Sequence, residues 1–392
     1  MKSCTAVSET SACNLQPPTD LAKISEKIVA GQRITRQEAE HLYHHADLLD
    51  LGRLAAARRQ LALPGKTVTY LIDRNINYTN VCHTDCTFCG FYRHDARHPE
   101  SYVNSRQVIS KKIEEALALG ATRILFQGGH NDELPYQWYV DIVEWIHQTY
   151  PAIEINAFSP SEIEQMKRIS GKSYEQILGE LKQAGMRGLP GGGAEILDDD
   201  VRRRVSPKKI KADEWISVME VAQGLELTTT GTMVIGFGET IVQRLNHLDR
   251  LRAAQDRSTA KGLTGFNAFI SWPLQLSDDT SMGRSRHAQS YGATAIEYLR
   301  NVALCRIYLD NIVHHQASWP TLGAEIGMLA LHFGCDDMGS TMMEENVVSS
   351  AGALTKETWS LSPEQLRTYI QQAGFIPAQR DTSYQMQPLS LR

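Results

Sequence analysis

The sequence predicts an α/β protein that closes as a TIM-type (βα)8 barrel, complete or as a partial (βα)6 barrel with a C-terminal extension, preceded by N-terminal helices. Three observations carry this. Short β-rich runs alternate with helical patterns from Val68 to His332, the rhythm of parallel strands joined by crossover helices. Six to eight such units in one chain close most simply into a barrel. No G-x-G-x-x-G turn follows the first strand, which weakens the open doubly wound sheet as an alternative.

In chain order, residues 1–17 are polar, rich in Ser and Thr, and lack the apolar core of a signal peptide; they read as a flexible tail. Residues 18–63 read as helices. Leu21, Ile24, Ile28 and Val29, then Leu42, Leu48, Leu51 and Ala55, recur at helical spacing until Pro64-Gly65 interrupts them. The barrel core is expected over 64–320, with 321–392 completing and capping it. Strand-like runs cover 68–77, 123–126, 153–158, 227–235, 265–270 and 312–317, with weaker ones near Gly188 and Phe333. Helical patterns cover 105–119, 135–149, 173–184, 213–224, 239–255, 294–309 and 322–332. Polar or glycine clusters follow several strands: Gln127-Gly128-Gly129-His130, Gly191-Gly192-Gly193-Ala194-Glu195, Gly236-Phe237-Gly238-Glu239 and Ser318-Trp319. In a barrel these loops share one rim, where chemistry is placed.

Composition narrows the function classes. Apolar residues make up 42% of the chain, enough for a substantial core, and the formal charge is only −5. No basic run suggests a nucleic-acid partner, and Arg202, Arg203, Arg204, Lys208 and Lys209 read as a solvated helix face. No apolar window approaches the ~18 residues of a membrane span. Seven cysteines, three of them within eight positions, argue against a disulfide framework and for metal chemistry in a reducing compartment, the cytosol.

The three crowded cysteines are Cys82, Cys86 and Cys89, in the loop after the first barrel strand. Thiolates at this spacing wrap one metal centre and favour an iron–sulfur cluster or zinc. A closed zinc site needs a fourth ligand, which His83 or His94 could supply. A cubane held by three cysteines keeps one iron open to a substrate. Cys4, Cys13, Cys305 and Cys335 have no partner at useful spacing and read as tail or core residues.

The C-x-x-x-C-x-aromatic-C string resembles the motif of the radical S-adenosylmethionine (SAM) superfamily. The resemblance implies a [4Fe–4S] cluster on Cys82, Cys86 and Cys89, whose open iron chelates SAM, and a one-electron reductant of the flavodoxin or ferredoxin type. It also implies SAM contacts at Phe88 and Tyr92, at Gln127, Gly128 and Gly129, and at Gly236 and Glu239. Without it, a Gly-Gly after a strand is an ordinary turn, and Glu239 is a carboxylate at a helix N-terminus.

Longer strings narrow the likeness to radical SAM enzymes of the futalosine route to menaquinone. These are Asn75-Ile76-Asn77-Tyr78-Thr79-Asn80, Leu189-Pro190-Gly191-Gly192-Gly193-Ala194-Glu195, Gln316-Ala317-Ser318-Trp319, Gly339-Ser340-Thr341-Met342-Met343-Glu344-Glu345 and Gln379-Arg380-Asp381-Thr382-Ser383-Tyr384. Implied is cyclisation of dehypoxanthine futalosine: a 5′-deoxyadenosyl radical takes the ribose C4′ hydrogen, and the sugar closes onto the benzoate ring. Enzymes of the aminofutalosine synthase and deazaflavin synthase type share the cysteine loop and stand as alternatives. A zinc-bound hydrolase or structural barrel is the reading from another class.

A small-molecule substrate of this kind needs a cation for its benzoate, for which Arg306, Arg380 and Arg93 are candidates. It needs hydrogen-bonding groups for its sugar, here Glu195, Asn267, Ser318 and Glu345, and a terminal base among His130, Asp337, Glu344 and Glu345. Each has a plain structural reading too, as a surface pair or a helix start. The chain departs from the pattern it resembles at Asn156, Gln223 and Phe237, where His is expected, and at Asp336, where Asn is expected.

Overall fold

A computed structural model describes residues 20–344, Asn346, Ser350 and 360–387. The expected tail 1–17 and Glu345 lie outside the described residues. Helices α1 (Leu21–Val29), α2 (Arg36–His45) and α3 (Leu48–Ala62) open the chain. One stretch then forms two strand segments, β1 (Thr67–Leu71) and β2 (Asp73–Asn77), and β3 (Arg123–Gln127), β4 (Glu154–Ala157), β5 (Met186–Leu189), β6 (Thr228–Ile235), β7 (Phe266–Pro273), β8 (His314–Gln316), β9 (Asp337–Ser340) and β10 (Ile376–Gln379) follow.

All ladders are parallel, in the order β10-β1-β9-β8-β7-β6-β5-β4-β3-β2. The sheet curls until β2 meets the residues just past β9: Arg74 bridges Met343, and the Asn75 N–H donates to the Met343 carbonyl at 3.0 Å. This is the barrel that the alternation predicts. The break at Ile72 lets β1 lie between β9 and β10 while β2 takes the first barrel position. The last predicted strand sits a few residues beyond Phe333, and β10 escaped the sequence reading because Pro377 interrupts a short, half-exposed run.

The crossover helices start where polar caps put them. Ser105, Ser159, Ser173, Thr240 and Thr294 each accept a backbone N–H of the first helical turn through their side chains. The N-terminal helices neither cap the barrel floor nor stand apart. They pack on the outside of the two helices Ile241–Ala260 and Ala295–Tyr308. Arg33 there pairs with Asp256 at 2.7 Å and Asp310 at 2.9 Å, and the Tyr43 hydroxyl donates to Glu297 at 2.5 Å. Gly52 lets α3 approach the barrel, since a Cβ there would lie 2.9 Å from the Phe333 ring.

The barrel interior departs from the usual filling by Val, Ile and Leu. In register across five strands stand Asn75, Leu125, Asn156, Gly188 and Thr228. The missing side chain at Gly188 makes room for its neighbours, because a Cβ there would come within 2.5 Å of Asn156 Oδ1 and 2.3 Å of Thr228 Oγ1. Polar layers of this kind leave space: a cavity of about 400 Å³ runs from the cysteine loop down the barrel to Arg123 and Arg380.

Candidate active site

The loop from Tyr78 to Asn104 carries the three cysteines and is braced at both ends. Asn80 accepts the Tyr102 N–H at 2.9 Å and donates to the Glu100 carbonyl at 2.9 Å, while the Cys82 N–H donates to the Arg93 carbonyl at 3.0 Å. Asp85 turns the loop with a positive φ of 53°, a conformation that Asp tolerates better than most residues. Cys82, Cys86 and Cys89 are free thiols lining the top of the cavity. The Thr84 hydroxyl lies 3.0 Å from Cys82 Sγ and 3.6 Å from Cys86 Sγ. Burial pushes the Cys86 thiol up to about 12 and raises that of Cys89. Unmetallated, Cys86 and Cys89 stay protonated; a metal centre would claim them as thiolates.

The described residues do not form a closed zinc shell. Among the described residues no three His, Cys, Asp or Glu side chains are placed to hold one metal ion. Cluster thiolates bind different irons and need no such convergence. Both candidate fourth ligands point elsewhere. His94 Nε2 lies 2.7 Å from Asp85 Oδ1, and His83 faces a neighbouring cavity.

Beneath the cysteines, Gly128 and Gly129 are glycines for steric reasons. A Cβ on Gly129 would lie 2.2 Å from the Val81 carbonyl oxygen and 2.9 Å from Cys82 Cβ, and one on Gly128 would enter the Tyr78 ring at 2.7 Å. Glu162, which the sequence reading missed, holds this turn. Its carboxylate accepts from the Tyr78 hydroxyl at 2.8 Å, the Gly128 N–H at 3.1 Å and the Ser159 hydroxyl at 2.7 Å. Burial raises it to about 7, against an ordinary value of 4.5. A carboxyl raised on folding favours the native state below its unfolded value, and that contribution is lost as pH climbs through the folded value. Between pH 4.5 and 7 the parent should therefore lose stability relative to Glu162→Gln. Denaturant midpoints of the two proteins across that range check this; parallel profiles would show the carboxyl to be unperturbed.

Phe88 lines the cavity with its ring 5.1 Å from that of Phe237. Tyr92, Gln127, Gly128, Gly129, His130, Glu195, Asn267, Ser318 and Arg380 line the same cavity, so most of the candidates converge. The others do not. Gly236 and Glu239 lie outside it: Glu239 turns inward, accepting the Gly236 and Phe237 N–H groups at 3.0 and 2.7 Å and pairing with Arg244 at 2.8 Å. It staples its own turn. Arg306 is buried behind the sheet, donating to the Val313 carbonyl at 2.6 Å with Asp336 at 3.7 Å. Arg93 pairs with Glu100 at the surface. Asp337 is consumed by Arg380, the Thr69 hydroxyl at 2.6 Å and the Gly339 N–H at 2.7 Å. Glu344 faces outward to Arg74 at 2.8 Å and to Lys112. None of these four is placed to touch a substrate in the cavity.

The basic run is also corrected. Arg203 stays exposed, but Lys209 and Arg202 turn inward on either side of Glu195, at 2.8 and 3.6 Å. Burial disfavours the Lys209 cation; a Cys86 thiolate, the form a metal centre would claim, and the Glu195 carboxylate outweigh that and hold it above its usual value. Lys209 Nζ stands 5.9 Å from the centre of the Phe88 ring. His130 is kept neutral by burial, pushed down to about 3. Of the four departures only Asn156 reaches the cavity; Gln223 bonds Thr229 and Ser258, and Asp336 bonds His314.

Three free thiols thus meet a glycine turn and the Phe88 ring at the mouth of one barrel cavity, as a SAM-cleaving iron–sulfur enzyme requires. Comparison with known proteins agrees. The radical SAM superfamily matches residues 76–251, and the CofH/MqnC C-terminal region matches 263–392. The solved structure of methylornithine synthase (PylB) superposes with a TM-score of 0.70 at 14% identity, covering 91% of this chain and 97% of that one, which shows the shared fold. The chain belongs to the radical SAM superfamily, whose members use a [4Fe–4S] cluster and SAM. Within it, the chain is 43% identical to the cyclic dehypoxanthine futalosine synthase of Halalkalibacterium halodurans over 93% of its length and 94% of the relative. It is 38% identical to the 5-amino-6-(D-ribitylamino)uracil--L-tyrosine 4-hydroxyphenyl transferase of Archaeoglobus fulgidus, over 83% and 90%. No described helix is long and apolar enough to cross a membrane.

Proposed function

We propose that the protein cyclises dehypoxanthine futalosine. The observation that carries this is the polar belt inside the barrel, directly below the cysteines. Asn75, Asn156, Thr228, Thr230, Asn267 and Gln316 line the cavity, and Asn75 Oδ1 and Asn156 Oδ1 are buried without a hydrogen-bond partner. Unpaired buried acceptors cost free energy, which a hydroxyl-bearing substrate recovers by donating to them. The match to a cyclic dehypoxanthine futalosine synthase over nearly the whole of both chains supports the sugar-bearing substrate.

Cys82, Cys86 and Cys89 would hold the cluster, and Phe88, Tyr92, Gly128 and Gly129 would bound the SAM site. When bound, the cluster and SAM supply a radical able to take a hydrogen atom from an unactivated carbon. The protein's own contribution is placement. The amide belt holds the ribose with C4′ facing the cysteine end, and the narrow barrel folds the aryl group against the sugar. A C4′–aryl bond would then form, and aromaticity would return as one proton passes to a group of the cavity wall and one electron to the oxidised form of the one-electron carrier. His130 and Glu195 stand on the cavity wall as groups that would take the proton. A flavodoxin- or ferredoxin-type protein in the cytosol would supply the priming electron.

Anaerobic incubation with dehypoxanthine futalosine, SAM and reductant should yield the cyclised product together with 5′-deoxyadenosine. Deoxyadenosine without that product overturns the cyclase reading. Turnover instead of L-tyrosine with 5-amino-6-(D-ribitylamino)uracil would replace it with the activity named for the A. fulgidus relative.

A further inference from the structure

We propose that Arg123, Arg380 and Tyr384 form a carboxylate receptor at the floor of the cavity, which seats the acid end of the substrate and turns its sugar toward the cysteines. Arg123 opens β3, four residues before Gln127 at the cysteine end, so strand rise alone puts the floor roughly 13 Å below the glycine turn.

All three groups line the cavity and each keeps a donor in hand among the described residues. Arg123 spends Nε and Nη2, at 3.0 and 2.7 Å, on a single oxygen of Asp73, which leaves Nη1 without a partner. Arg380 gives Nε to Asp337 and Nη1 to the Asp381 carbonyl at 3.0 Å, which leaves Nη2. The Tyr384 hydroxyl is buried and makes no hydrogen bond. Its ring is locked in place, stacked on His314 at 3.6 Å and 8°, with the Arg380 guanidinium carbon 4.0 Å from its centre. Both guanidinium charges act on this hydroxyl. The donors are thus preorganised, and seating a ligand there orders little further.

The chemistry selects a monoanionic, planar acceptor. Asp337 holds Arg380 through Nε alone and is otherwise engaged by Thr69 and Gly339, which leaves Arg380 Nη2 for the ligand. Asp73 Oδ1 stays open and suits a water or hydroxyl beside the acid. Asp73 and Asp337 offset the single charge of each arginine, so the floor is close to neutral and acts through its spare N–H and O–H donors; these match the two oxygens of a carboxylate, whereas the second charge of a phosphate dianion would meet no cation.

The inference rests on the cyclase reading for the identity of the acid, a benzoate, and the test separates the two. The reconstituted parent enzyme is given dehypoxanthine futalosine and its benzamide analogue, and the variants Arg123→Lys and Tyr384→Phe are given the natural substrate. Binding of 3-acetylbenzoate and 3-acetylbenzamide to the parent is measured separately by calorimetry. Expected is a rise in KM of about tenfold to a hundredfold for the amide substrate and for Arg123→Lys, a smaller rise for Tyr384→Phe, and acetylbenzoate binding that the amide does not match. Equal KM values for acid and amide, measured on the unaltered enzyme, overturn the receptor whatever the variants do. Acid-selective binding of acetylbenzoate by a parent that makes no cyclised product keeps the receptor and overturns the cyclase.

Discussion

Replacing Cys86 with Ala is expected to abolish turnover. Cys86 is 5% exposed and the only side-chain hydrogen-bond partner of its thiol among the described residues is the Thr84 hydroxyl at 3.6 Å, so the substitution removes one sulfur and little packing. The loop is braced by Asn80, Arg93 and the Gly129 N–H donating to the Thr79 carbonyl at 2.9 Å, none of which depends on the thiol. The fold should survive while the cluster does not. Anaerobic reconstitution of Cys86→Ala should leave the broad visible absorption of the parent missing and iron content near background, with no 5′-deoxyadenosine from SAM. Cys305→Ala is the control. That thiol is equally buried but sits beside Asn301, behind the sheet, and its loss should leave iron content and deoxyadenosine formation unchanged. A Cys86→Ala protein that binds iron and cleaves SAM like the parent would remove the basis of the chemistry described above.

The second large effect is on stability. Asp337 is fully buried and Arg380 is 2% exposed, and they pair with each other. Asp337→Ala leaves a buried guanidinium without its counter-charge and also strips a partner from the Thr69 hydroxyl and the Gly339 N–H. Breaking a buried pair from one side costs ~3–5 kcal/mol, far more than the pair is worth against an apolar replacement. The denaturant midpoint should therefore fall steeply for Asp337→Ala, and the double variant Asp337→Leu/Arg380→Met should recover part of the loss. A loss below about 1 kcal/mol would mean that water reaches the pair and that the barrel floor is open. The same geometry explains why Asp337 is no terminal base: all its lone pairs that face the interior are taken.

What was legible in the sequence is what depends on neighbours along the chain. The three cysteines stand out in the sequence because a metal loop is built from one stretch, and the structure places all three on one cavity. Gly128 and Gly129 were found because a turn after a strand is local, although the reason they must be glycine, the Val81 carbonyl and the Tyr78 ring, comes from another strand. The alternation of strand and helix was readable for the same reason, since each period is written within one element. Which charged groups face the cavity was decided by the closed barrel alone. Arg306 and Arg380 look alike as arginines near strands, yet one lies behind the sheet and the other inside it. Lys209 and Arg203 share one basic run, and only the first turns inward to Glu195. Strand residues alternate between faces, so a single step in register moves a side chain from the cavity to the helices. The register is set by pairing between strands tens to hundreds of residues apart, information that no local window of the chain contains.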